Sequence, residues 1–230
     1  MSENTTAAVA APFRDARAVS SGPLPVEISM EPIVSGAEFA YEDVLLDDAN
    51  GFFAVWACDA GVYPRHKDRR GSFMYLLEGG GSIVDEDGTE YQLTADSILI
   101  LPFGWKGHWK ITETVRKVYV HTTPVPPYRQ GVQKCVFVPT EGLARDGVVF
   151  DGPDGTAVLR TIETGEHADE MRDRARFVQV LSGAAVLESA DGSQVELTSG
   201  ATVGLPDGWS GTLRVTEPLR TFEVLSTPAR

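Results

Sequence analysis

Cysteine is nearly absent. Cys58 and Cys135 are the only two in 230 residues, which excludes a disulfide-stapled scaffold, and both read as buried thiols. An excess of base is missing too. Lys and Arg number 20 against 33 Asp and Glu, a formal charge of −13 with a pI near 4.7. That balance excludes the phosphate-neutralising surface nucleic-acid binding needs, and disfavours an anionic membrane surface for the same reason. No stretch approaches the roughly 18 apolar residues of a membrane span. The first twelve residues carry an acid rather than a basic start and no long apolar core, unlike a secretion signal, so a cytoplasmic protein is expected. Helical periodicity is scarce as well.

What is present is a succession of short β runs punctuated by 23 Gly and 14 Pro. They include Phe39 to Leu46, Phe52 to Cys58, Phe73 to Leu77, Gly81 to Val84, Tyr91 to Leu93, Ser97 to Leu101, Gly107 to Ile111 and Arg116 to His121. Asp85-Glu-Asp-Gly88 between two of them is a hairpin signature. Strands this short and this closely spaced predict an all-β chain of small antiparallel jelly-roll barrels.

The pattern occurs twice. At an offset of 104 residues, as from Phe73 to Phe177, the chain also repeats Gly79/Gly183, Gly88/Gly192, Pro102/Pro206, Trp105/Trp209, Gly107/Gly211 and Arg116/Arg220. A repeat of this length is a whole domain rather than a solenoid unit. The expected organisation is a flexible lead over 1–24, an N-terminal barrel over 25–123, a Pro-rich linker over 124–133 and a C-terminal barrel over 134–230. Barrels of this type often pair between chains, so a homodimer is expected by analogy.

The spacing His66-x-Asp68-x3-Ser72-x6-Gly79, followed by Pro102-x-Gly104, resembles the two signature motifs of the cupin superfamily. The run Pro102-Phe-Gly-Trp-Lys-Gly-His-Trp109 with Thr112-Glu-Thr-Val-Arg-Lys117 is similar, more narrowly, to the (S)-ureidoglycine aminohydrolase family. The resemblance implies two tandem cupin barrels. It also implies a divalent metal held by His, His, Glu and His, or by Glu, His, His and Gln for manganese in the second half of the aminohydrolase. At those positions stand His66, Asp68, Ser72 and Gly107 in the first half, and Glu170, Arg172, Arg176 and Gly211 in the second. Only Glu170 matches the manganese set, and guanidinium groups repel a cation and offer no lone pair. No cofactor is therefore expected; a divalent metal, if bound, would have His66 and Asp68 as ligands.

Residue chemistry suggests other uses for these positions. His66 and Asp68, two apart on a strand, share a face and suit a general base oriented by a carboxylate. Arg172 and Arg176, with Glu170, suit a carboxylate or phosphate ligand. Ser72 and Trp109 are expected to line the first cavity, Trp109 because it lies two residues beyond Gly107. His121 and His167 fall outside the motif positions and read as structural or solvated. The leading expectation is a bicupin without the usual metal ligands, binding a small polar or carboxylated molecule in a barrel cavity. The alternatives are a metal-dependent hydrolase of a ureido or amide compound, and a non-catalytic dimeric scaffold or sensor.

Overall fold

The structure, a computed structural model, describes residues 13–15, 23–48, 51–122, 131, 133–171 and 173–227. Apart from one 3-10 turn at Thr140–Ala144, the secondary structure among these residues is β, in two antiparallel sheets. No helix here is long and apolar enough to cross a membrane. Most of the expected linker, 124–130 and 132, lies outside the described residues.

The sequence repeat is a repeat of strands. In the first half these are β5 (Gly51–Cys58), β6 (Gly61–His66), β7 (Ser72–Asp85), β9 (Ile98–Leu101) and β10 (Lys106–His121). Their counterparts are β13 (Gly155–Ile162), β14 (Gly165–Glu170), β15 (Arg176–Ser189), β17 (Ala201–Leu205) and β18 (Ser210–Leu225). β10 pairs with β7 along its length, and on its other edge with β6 through its first half and β5 through its second. Bulges between Ile111 and Lys117 bend the long strands so that each sheet folds over on itself. β18 does the same with β15, β14 and β13. These are the two tandem cupin barrels expected from the sequence.

On the outer side of the ten-stranded sheet β4 (Phe39–Asp48) pairs with β5, as Gly147–Gly152 pairs with β13 in the second half, and β2 (Val26–Ser29), without a repeat counterpart, extends it. Within the expected lead, Phe13–Asp15 forms β1 and extends the other sheet by pairing with Val203, Thr202 and Ala201 of β17. Leu24 is buried in the core shared by the two halves.

Each Pro-x-Gly-Trp turn closes its barrel in the same way. Trp105 N and Trp209 N donate to the carbonyls of Pro102 and Pro206 at 2.9 and 3.1 Å. The intervening Gly104 and Gly208 take φ of 87° and 80°, where a side chain would be strained. The indole nitrogens then anchor to the end of the long strand, Trp105 Nε1 to Asp85 Oδ1 at 2.6 Å and Trp209 Nε1 to Ser189 Oγ at 3.0 Å.

Strand alternation sorts side chains between three cores. One set fills the first barrel and one the second, while a third joins the two through their outer faces, with Phe53 against Phe177 at 5.4 Å and Phe73 against Phe150 at 5.7 Å. Tyr75 belongs to this shared core, outside the first barrel. Cys58 and Cys135 are buried free thiols.

Candidate functional site

The β6–β10 ladder decides which side chains face the first barrel. Tyr63 pairs with the inward-facing Trp109, and Arg65 with Gly107. The inward set is therefore Tyr63, Arg65 and Lys67, and the expected positions His66 and Asp68 are one residue out of phase. In a strand of period two, that slip turns His66, the last residue of β6, to the other face. His66 and Asp68 are exposed and line an open pocket of about 320 Å³ with Lys67, Arg69, Arg70, Tyr119 and His121. No hydrogen bond joins them, so they do not form an oriented base. The second half shows the same phase: Asp169 pairs with Gly211 and faces inward, whereas the exposed Glu170 pairs with Ser210.

Inside the first barrel is a cavity of about 200 Å³. Its walls include Trp56, Trp109 and Tyr119, and its polar groups Ser29, Glu31, Arg65, Lys67, Ser72, Lys117 and His121. Lys117, Tyr119 and His121 alternate along β10 with Val118 and Val120, which face the shared core. Lys117 Nζ lies 3.9 Å from the Trp56 ring centroid and 4.3 Å from that of Trp109. Tyr119 donates to Glu42 Oε2 at 2.6 Å, and burial followed by this bond pushes its phenol well above the usual range. Lys67 is pushed down to about 8 by burial and by the Arg65 guanidinium.

His121 Nδ1 stands 2.8 Å from the Gly71 carbonyl and 2.9 Å from Ser72 Oγ. A carbonyl only accepts, so Nδ1 carries the proton and Nε2 keeps its lone pair. Burial, then the charge of Lys67, hold its pKa well below the ordinary value and keep the ring neutral. Ser72 is buried beside it.

The second barrel holds a cavity of about 210 Å³ of different character. Its walls are aliphatic, among them Val178, Leu187, Leu197, Val203 and Leu213, and one end is charged. There Arg176 reaches Asp169 Oδ2 and, at 3.6 Å, Glu223 Oε2, while Arg160 Nη1 lies 3.4 Å from the same Glu223 oxygen. Thr221 Oγ1 donates to Glu223 Oε1 at 2.9 Å. Arg176 Nε is buried with no hydrogen-bond partner. Burial lowers the Arg176 pKa, opposed by the charge of Glu223; a guanidinium starts so high that it stays protonated.

Glu170 and Arg176 lie on different strands, β14 and β15. Asp173 takes a φ of 62° between β14 and β15 and ends the extended run. Arg172 lies outside the described residues.

The metal set implied by the resemblance does not fit this barrel. Arg176 occupies one ligand position and is committed to two carboxylates, and Glu170 faces away from the cavity. The Gly211 position admits no ligand at all. A Cβ there would fall on the Glu188 carbonyl oxygen and 2.6 Å from Trp209 Cζ2. Gly107 is closed in the same way, by the Val84 carbonyl and Trp105 Cζ2 at 2.5 Å. Among the described residues no three His, Cys, Asp or Glu side chains converge as a ligand set.

Residues missed from the sequence are Arg65, Lys67, Lys117, His121, Arg160 and Glu223. The signal for two of them was available: in Lys117-Val-Tyr119-Val-His121 the two valines mark one face and leave the polar residues on the other.

Comparison with known proteins agrees with this geometry at the level of fold. Residues 47–119 match the family of EutQ-like cupin domains. No curated protein matches the sequence. Among solved structures, a cupin 2 conserved barrel domain protein from Leptotrichia buccalis superposes with a TM-score of 0.62 at 12% identity, over 90% of this chain and 99% of that one. Protein Ylba from E. coli gives 0.63 at 12% identity, over 91% and 96%. A salicylate 1,2-dioxygenase from Pseudaminobacter salicylatoxidans gives 0.60 at 13%, over 80% and 76%. At these identities the likeness concerns architecture: the chain contains a cupin domain and has the cupin fold.

Proposed function

We propose that the chain is a cytoplasmic small-molecule-binding bicupin whose second barrel holds a small aliphatic carboxylate against Arg176. The observation that carries this reading is the buried, unpartnered Arg176 Nε at the charged end of an aliphatic cavity of about 210 Å³. A carboxylate accepts a charge-assisted hydrogen bond there. Asp169, Thr221 and Glu223 suit a hydroxyl or amino group beside it, since the charged end already balances two cations with two anions. The hydrocarbon body replaces water against the leucines and valines, worth about 0.8 kcal/mol per buried CH2.

A four- to six-carbon acid with one new charge-assisted bond is expected to bind in about the micromolar to millimolar range once association costs are met. The hydrolase alternative has no support among the described residues, because the two glycines close the positions its metal would need. A homodimer is proposed with this reading, supported by the exposed Phe39 and Tyr41, which share the outer face of β4.

Thermal melting tests the reading. 4-Methylpentanoate and leucine, which share a branched aliphatic body, are expected to raise Tm, whereas 4-methylpentan-1-ol is not. At a hundredfold excess over Kd the gain is about 2.7 kcal/mol, or roughly 5–10 °C for a chain of this size. No shift with either acid, or an equal shift with the alcohol, would sink the proposal.

A further inference from the structure

The first barrel contains a lysine that its architecture does not require. Lys117 is 8% exposed, and among the described residues no carboxylate pairs with it. Glu42, whose charge reaches it, is engaged with the Tyr119 hydroxyl. The equivalent residue in the second barrel is the neutral Thr221. Three aromatic rings surround the Lys117 amine, Trp56, Trp109 and Tyr119, at 3.9, 4.3 and 5.5 Å from their centroids. The amine lines the cavity of about 200 Å³ with Lys67, with Glu31 and with Arg65, whose Nη1 and Nη2 donate to the carbonyls of Pro32, Pro64 and Met30.

Two effects compete over its proton. Aromatic faces favour the ammonium by about 0.5–2 kcal/mol. Desolvating an ammonium without a counterion costs several kcal/mol, and the like charges of Lys67 and Arg65 add to that cost. The titratable groups acting on it are Lys67, Cys58, Arg65 and Glu42, and burial followed by Lys67 leads, holding its pKa well below the ordinary value. Desolvation outweighs the ring faces and lowers the amine's pKa, so more of it carries a free lone pair than an exposed lysine would. A lysine desolvated in an apolar pocket beside another cation is the environment that turns the side chain into a nucleophile.

We propose that Lys117 is a carbonyl-reactive amine and that the first-barrel cavity takes a small 2-oxo carboxylate, with its carboxylate against Lys67 and Arg65 and its carbonyl carbon against Lys117 Nζ. The Nζ lone pair attacks the carbonyl carbon, forming the C–N bond, and one amine proton passes to the oxygen to give a carbinolamine. The C–O bond then breaks, and the oxygen departs as water with the second amine proton, leaving the imine. No oxidant or reductant is consumed. The faces of Trp56 and Trp109 flank the flat conjugated product, and the net positive wall holds its carboxylate. This site is separate from the Arg176 cavity, so either proposal stands if the other fails.

The test is reductive trapping on the full chain. Protein is incubated with pyruvate or phenylpyruvate and sodium cyanoborohydride, then analysed by intact mass and peptide mapping. The trapped product is heavier by the mass of the probe less one oxygen atom. One such addition is expected at Lys117 with at least one of the two probes, at least tenfold above Lys106, Lys110 and Lys134, which lie outside the cavity. Lys117→Met, shown folded by its near-UV circular dichroism, is expected to lose it. Labelling that follows solvent exposure, labelling of Lys67 in place of Lys117, an unchanged adduct in Lys117→Met, or no adduct with either probe would each overturn the proposal.

Discussion

Replacing Arg176 by Met removes the guanidinium while nearly preserving side-chain volume, so the cavity term stays small and electrostatics dominate. Glu223, 2% exposed, loses one of its two cations but keeps Arg160 at 3.4 Å and the Thr221 hydroxyl at 2.9 Å. Asp169 loses its guanidinium too, but its side chain is 22% exposed and water screens part of the loss. Breaking a buried ion pair from one side costs about 3–5 kcal/mol. The retained partners bring the expected cost to about 2–3 kcal/mol, or roughly 4–12 °C in Tm.

Urea unfolding of wild type, Arg176→Met, Glu223→Gln and the double variant measures this. A coupling energy of at least about 1 kcal/mol is expected between the two sites. A single variant within about 0.5 kcal/mol of wild type, or additive effects, would refute the buried ion-pair description.

Three further outcomes follow from the geometry. Gly211→Ala should cost about 1–3 kcal/mol in urea unfolding, since its methyl meets the Glu188 carbonyl and the Trp209 ring; a neutral result would contradict the closed ligand position. His121 is held neutral in the fold, so protonation of the unfolded chain below about pH 6.5 should draw stability away as pH falls. Comparison with His121→Asn should show that component gone; an identical pH profile would argue against it. Protein purified without chelators or a metal-affinity tag should carry no stoichiometric transition metal by elemental analysis, and near-stoichiometric manganese or zinc would contradict the misfit of the ligand set.

The fold was legible because the features that set it are local and repeated. Gly104 and Gly208, Trp105 and Trp209 recur at the same spacing, and each turn needs its glycine for a positive φ and its indole for an anchor. Alternation with Met74 and Leu76 is enough to set Tyr75 outside the first barrel, where the structure has it. The site was less legible because alternation gives two faces without saying which is inside. The motif alignment put His66 and Asp68 inward, and the ladder with β10 puts Arg65 and Lys67 there instead. The charged surroundings of Arg176 were hidden for another reason. Arg160 and Glu223 come from β13 and β18, and only closure of the second barrel brings them to β15. Lys117 and His121 read as ordinary strand residues until the cavity beside them is seen.

The most direct test of carboxylate binding at Arg176 is isothermal titration of 4-methylpentanoate into wild-type protein and Arg176→Met. Saturable binding at one site per chain is expected in wild type, weakened at least tenfold in the variant, a loss of about 1.4 kcal/mol or more. Equal affinity in both proteins, or no saturable binding in wild type, would contradict it.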